Sequence, residues 1–109
     1  MAYNSAFSPF GSTYLVGLSA VQVKSSNNVY PSGYRIVNLT GSLIRVGWAP
    51  QEPSDASVTP VATTPTASGT ANVLTLPANA VGVFSGIPPN AWFIASAASV
   101  EITPGEGIN

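Results

Sequence analysis

The sequence predicts an all-β fold, an antiparallel β-sandwich or barrel made of short strands. The strongest observation is the stretch 72–107, which contains four apolar runs at 73–76, 81–84, 92–95 and 100–103. The gaps between them hold turn formers: Pro77 and Asn79, then Gly86, Pro88, Pro89 and Asn90, then Ser96 and Ser99. Short runs spaced about 8–12 residues apart and broken by Pro, Gly and Asn mark antiparallel sandwiches and barrels. Helices would need longer periodic segments without the prolines.

Composition makes this one domain. A chain of 109 residues buries roughly two-thirds of the surface that its unfolded form exposes, enough for one sandwich core. With 45% hydrophobic residues it is too apolar for a disordered tail. Charge is the unusual feature, at 6% of the chain. The ionisable residues are Lys24, Arg35, Arg45, Glu52, Asp55, Glu101 and Glu106. A free-standing surface normally carries more charge to resist self-association. Ser, Thr, Asn and Gln must supply the polar surface, which is then either of the secreted type or largely covered by partners. The second reading is favoured.

Several function classes fall away. Three scattered basic residues and a net charge of −1 offer no clustered patch for phosphates, so no nucleic-acid partner is expected. Without cysteine or histidine, thiol catalysis, Ser-His-Asp triads and the usual zinc sites are not available. No cofactor is expected. The start Met1-Ala2-Tyr3-Asn4-Ser5 has neither the basic region nor the apolar core of a secretory signal. No apolar run approaches the ~18 residues of a membrane span, so no membrane partner is expected. Synthesis in a cytoplasm follows as the expectation.

Taken in order, residues 1–13 read as an extended N-terminal arm with Tyr3, Phe7 and Phe10 among Ser, Pro and Gly. Its rings either tuck against the chain's own core or dock on a neighbouring subunit, because aromatics bury much area at low entropy cost. Residues 14–109 form the single sandwich domain. The first strand region is 14–24, where Val21 and Val23 alternate with Gln22 and Lys24; Gly17 marks a bulge or bend within it.

Residues 33–50 read as the clearest hairpin, turning at Thr40, Gly41 and Ser42. Arg35, Val37 and Leu39 share one face of its first arm, opposite Tyr34 and Ile36. Ile44, Val46 and Trp48 share a face of the return arm, opposite Leu43, Arg45 and Gly47. A hairpin would bring Arg35 and Arg45 near one another across the ladder, where like charges repel. They would then be solvated or meet a partner's carboxylates. The Pro/Ser/Thr-rich loop at 51–69 follows, with Pro53, Pro60 and Pro65. A loop this long in a compact domain is usually functional or flexible, and Val58 and Val61 are positioned to pin part of it to the body.

No constellation of residues supports catalysis, and no enzyme is expected. Lys24 next to Ser25 lacks the strand-to-helix turn of an activated nucleophile. Glu52 with Asp55, and Glu101 with Glu106, are better read as solvated charges than as a glycosidase pair. Gly105, Glu106 and Gly107 lack the helix and lysine of a phosphate loop. Asn38-Leu39-Thr40 matches the N-glycosylation pattern and is read as chance. Trp48 and Trp92 with Tyr30 and Tyr34 are read as core aromatics rather than as a sugar-stacking platform.

Two passages, YRIVNLTGSLIRVGWAP (34–50) and LPANAVGVFSGIPPNAWFIASAASVEITPGEGI (76–108), resemble the small capsid cement, decoration or head-stabilising proteins of tailed bacteriophages. The matching features are the strand at Arg35 leading into a Trp-containing strand at Trp48, the LPA turn, PPNAWFIA and the final V-x-ITPGEG. The resemblance covers roughly half the chain and rests on structural, not catalytic, motifs. It implies a jelly-roll-like sandwich bound as a homo-oligomer, dimer or trimer, to the major capsid protein on the capsid surface of the virion. The expected partner contacts are Tyr3, Phe7 and Phe10, the 51–69 loop, and Arg35 and Arg45. The alternative is a carbohydrate- or receptor-binding module of a phage fibre or tail, using exposed aromatics.

Overall fold

The computed structural model describes residues 8, 9, 11–25, 33–50, 60–97 and 99–106. These residues form nine strands and no helix: β1 (Ser8–Pro9), β2 (Tyr14–Val16), β3 (Val21–Gln22), β4 (Gly33–Asn38), β5 (Ile44–Ala49), β6 (Val73–Leu76), β7 (Val81–Ser85), β8 (Trp92–Ala95) and β9 (Val100–Glu106). All four C-terminal runs read from the sequence are strands. Asn79, Asn90 and Ser99 in the predicted gaps have φ of 58°, 56° and 79°. That left-handed conformation reverses the chain, and Asn tolerates it better than most residues.

The strands form two antiparallel sheets. In the first, β1 and β2 lie end to end along one side of β9, followed by β4 and β7; in the second, the order is β3-β8-β5-β6. The pairs β2·β9, β3·β8, β4·β7 and β5·β6 nest inside one another. This is the pairing of one long hairpin with its tip between β5 and β6. Rolling that hairpin lets β4 also pair with β9 and β5 with β8. The result is the jelly-roll strand order, a sandwich and not a closed barrel.

Two local readings change as a consequence. β4 and β5 do not form a hairpin. They lie in different sheets, and residues 39–43 carry the chain across a corner between them. The partners of β4 are β7 and β9, far away in sequence, and their ladders outcompete a local pairing with β5. Likewise 14–24 is two strands in two sheets, separated at Gly17, where the sequence marked a bend.

Alternation supplies the core. Val16, Tyr34, Ile36, Val100 and Ile102 point inward from the first sheet, and Ile44, Val46, Leu76, Phe93 and Ala95 from the second; all are buried. Tyr34 and Phe93 meet across the gap edge to face, with ring centroids 5.0 Å apart at 63°, a favoured aromatic geometry. The Tyr34 hydroxyl donates to the Pro88 carbonyl at 2.7 Å. It thereby anchors the β7–β8 connection.

The β2–β3, β4–β5, β6–β7 and β8–β9 connections gather at one end, the corner end. Backbone bonds tie them together: Asn79 N–H to Thr40 O, Leu39 N–H to Ser99 O and Ala95 N–H to Gly17 O. Buried Asn38 is the hub. Its amide donates to the carbonyls of Ser42 and Pro77 at 2.9 Å and of Leu76 at 3.3 Å. Its oxygen accepts from the Thr40 N–H and hydroxyl at 2.9 and 2.8 Å. The polar atoms of this one buried side chain are thus satisfied by groups from two corners.

Candidate interaction surfaces

The outer face of the first sheet is built by register. Leu15 on β2, Glu101 on β9, Val37 on β4 and Val81 on β7 form one row. The next row holds Thr103, Arg35 and Val83, with Thr13 sharing a 2.7 Å hydrogen bond with the Thr103 hydroxyl. Leu39 continues β4 beyond Val37. Leu15, Leu39 and Val81 are 65%, 47% and 45% exposed. Arg35 and Glu101 are diagonal neighbours on adjacent strands. Neither side chain has an ion-pair or hydrogen-bond partner in the chain, as judged for the described residues.

A second apolar feature lies at the corner end. Leu18 and Leu43, 70% and 54% exposed, flank the end of β8. Ser96 sits between them: its N–H donates to the Arg45 carbonyl, its hydroxyl accepts from the Arg45 N–H at 3.0 Å, and the preceding Ala95 bonds Gly17. These leucines stand on loops tied to the sheets, so their exposure is built into the corner.

The outer face of the second sheet carries Trp92, paired with Gln22 and Ala49. The Gln22 amide donates to the Asn90 carbonyl at 3.1 Å beside it. Trp92 is 37% exposed, whereas Trp48 packs against the core. The core reading of the two tryptophans therefore holds for Trp48 alone; Trp92 faces out because it is one residue out of phase with buried Phe93. On the same face the Val61 backbone crosses β5 at Gly47, so closely that a Cβ at Gly47 would overlap the Val61 carbonyl. The expected pin of the long loop is thus Val61's backbone. Its side chain is half exposed.

Of the expected contact residues, Tyr3, Phe7 and Phe10 lie outside the described residues, as do 51–59 of the loop, Val58, Tyr30, Glu52 and Asp55. Arg35 and Arg45 are described and are not neighbours. Arg35 lies on the outer face of the first sheet, opposite Val83 and Thr103. Arg45 lies on the outer face of the second, opposite Thr75, to whose hydroxyl its Nη1 donates at 2.9 Å. The sandwich stands between them, because the hairpin that would have joined them does not form. Asn38 of the glycosylation pattern is buried with its amide engaged, so the folded chain does not present it for modification.

The exposed leucines were the residues sequence reasoning missed. Their signal was present: Leu39 falls in phase with Arg35 on the face opposite Tyr34 and Ile36. An aliphatic in phase with an arginine marks an outward apolar position. Comparison with protein-family models, with curated proteins and with solved structures finds no match for this chain.

Proposed function

We propose that this protein is a structural virion protein, a capsid cement or decoration protein that binds the major capsid protein on the outside of a tailed-bacteriophage head as an oligomer. The observation that carries the reading is a charge-poor jelly roll whose corner end holds outward leucines, Leu18 and Leu43, on firmly tied loops. The resemblance of 34–50 and 76–108 to head-stabilising proteins supplies the class of partner. In this role the protein acts mechanically. Subunits bridging neighbouring capsomers add interface that the shell must lose before it opens, and many weak contacts act together. In this reading the N-terminal arm with Tyr3, Phe7 and Phe10 and the 51–69 loop add further contacts.

The test is co-sedimentation of the purified chain with expanded heads that lack it. Saturable binding at a copy number matching the shell's symmetry axes is expected, together with loss of binding in a Leu18→Asp/Leu43→Asp variant that stays folded. Absence of binding by the folded wild type overturns the proposal.

One observation favours a second reading, a carbohydrate- or receptor-binding module of a fibre or tail. Trp92 presents part of its ring outward beside Gln22, an arrangement suited to stacking on a sugar. Glycan-array binding lost in Trp92→Ala would move this reading to first place.

A further inference from the structure

We infer that the outer face of the first sheet is a two-fold interface between two copies of this chain, held by reciprocal Arg35–Glu101 pairs. This inference does not depend on the virion reading.

The face is self-complementary. It presents one base, Arg35, and one acid, Glu101, diagonal to each other on β4 and β9. Both are partly buried, and neither is paired within the chain among the described residues. Around them stand Leu15, Val37, Leu39, Val81 and Val83. A homodimer interface must place the same patch on both sides, residue i meeting j and j meeting i. A two-fold axis in the plane of the face, along the perpendicular bisector of the Arg35–Glu101 line, does this. Each Arg35 then faces the Glu101 of the other copy.

The same operation settles the remaining contacts. Neighbouring strands are about 4.8 Å apart and alternate residues along a strand about 6.7 Å apart. On that net Val37 falls near the axis and meets its own copy. Val81 and Leu39 fall in the same apolar quarter of both copies. Leu15 falls toward the paired glycines Gly33 and Gly105, where no side chain opposes it. The strands of the two copies cross steeply, as in orthogonally packed sheets. Charge meets opposite charge, and Val37, Val81 and Leu39 meet aliphatic side chains; a partner of arbitrary sequence would have to reproduce this pattern by chance.

Four strands at about 4.8 Å and some six residues at about 3.3 Å give a face roughly 20 Å square. Over both copies that is about 800 Å², below the range of stable specific interfaces and within that of weak, transient ones, so the dimer is reversible, with a Kd of roughly 10–200 µM. Sedimentation equilibrium on the full chain tests this, with Arg35→Glu, Glu101→Arg and the double exchange, and near-UV circular dichroism to verify folding. Wild type is expected to dimerise. Each single reversal should weaken the dimer by about tenfold or more, and the double exchange should restore it to within about threefold. A wild type that stays monomeric to about 1 mM, a trimer, or a dimer indifferent to both single reversals overturns the inference. If a variant fails to fold, salt decides: the wild-type dimer must weaken between low and high ionic strength, and an unchanged Kd overturns the inference. Capsid binding is measured separately, so failure of either proposal leaves the other standing.

Discussion

The side-chain amide of Asn38 donates to the Pro77 carbonyl at 2.9 Å and joins the β4–β5 corner to the β6–β7 corner. Asn38 ends β4 and Pro77 opens the β6–β7 connection, far away in sequence. The carbonyls of Ser42, Leu76 and Pro77 all accept from this one group, and those of Ser42 and Pro77 also accept from the Thr40 hydroxyl and the Ala80 N–H. Replacing Asn38 with Leu, similar in size but without polar atoms, removes the link between the two corners and the acceptor of the Thr40 N–H. We expect Asn38→Leu to destabilise the fold by about 2–4 kcal/mol, read as a lower denaturant midpoint. A change under about 0.5 kcal/mol would show that water substitutes for the amide.

Gly47 is required by a close approach, not by its own φ. The Val61 backbone occupies the space where a side chain would start. Gly47→Ala must push the segment around Val61 off the second sheet, at a loss of about 1–3 kcal/mol. Proteolysis within 61–64 should quicken while β4 and β9 keep their protection from amide exchange. Uniform loss of protection would instead place the strain in the sheet.

Ser99 holds φ of 79° while its carbonyl accepts from the Leu39 N–H at 3.1 Å. A side chain in this region costs roughly 1–2 kcal/mol, and a β-branched one is a true outlier. Ser99→Gly is therefore expected to leave thermal stability equal or slightly higher, because relief of strain offsets the added freedom of the unfolded chain. Ser99→Val should lower it by at least about 2 kcal/mol relative to the glycine variant. Equal melting temperatures would refute the assignment.

Burial pushes the Tyr34 phenol above its usual pKa of 10.0, and hydrogen bonds from the Ala91 and Asn90 backbone pull partly the other way. A raised folded pKa means that the folded state keeps its proton where the unfolded chain has lost one. Stability from this group is complete below about pH 10 and falls as pH rises through the folded value. Tyr34→Phe should remove that alkaline decline. It should also lower neutral-pH stability by about 1–2 kcal/mol, through loss of the bond to Pro88. Parallel pH profiles for the two proteins would contradict this account.

The two tryptophans should be separable by quenching. Acrylamide is expected to reach Trp92 and largely spare Trp48, giving a curved quenching plot in the wild type. Trp92→Phe should leave only the protected component. Two equally accessible populations would contradict the packing of Trp48 against the core.

Much of the strand layout was legible in the sequence. Runs at 73–76, 81–84, 92–95 and 100–103 became β6 to β9 because strand formation and turn chemistry are local: alternation chooses the buried face, and Asn79, Asn90 and Ser99 reverse the chain. The inward set Tyr34, Ile36, Ile44 and Val46 was legible for the same reason. Partner choice was not. Thr40, Gly41 and Ser42 between two alternating arms serve a hairpin or a corner equally well, and nothing within 33–50 distinguishes them. The decision lies in ladders that Arg35 makes with Val83 and Thr103, dozens of residues away. Those pairings put Arg35 and Arg45 on opposite faces, left Arg35 beside Glu101, and brought Val61 against Gly47. The sequence by itself determined which residues form strands and which side of each strand is apolar, since both follow from a residue and its near neighbours. Only the tertiary structure decided which strands meet and which apolar side chains are left facing out, because both depend on burial summed over the whole sandwich.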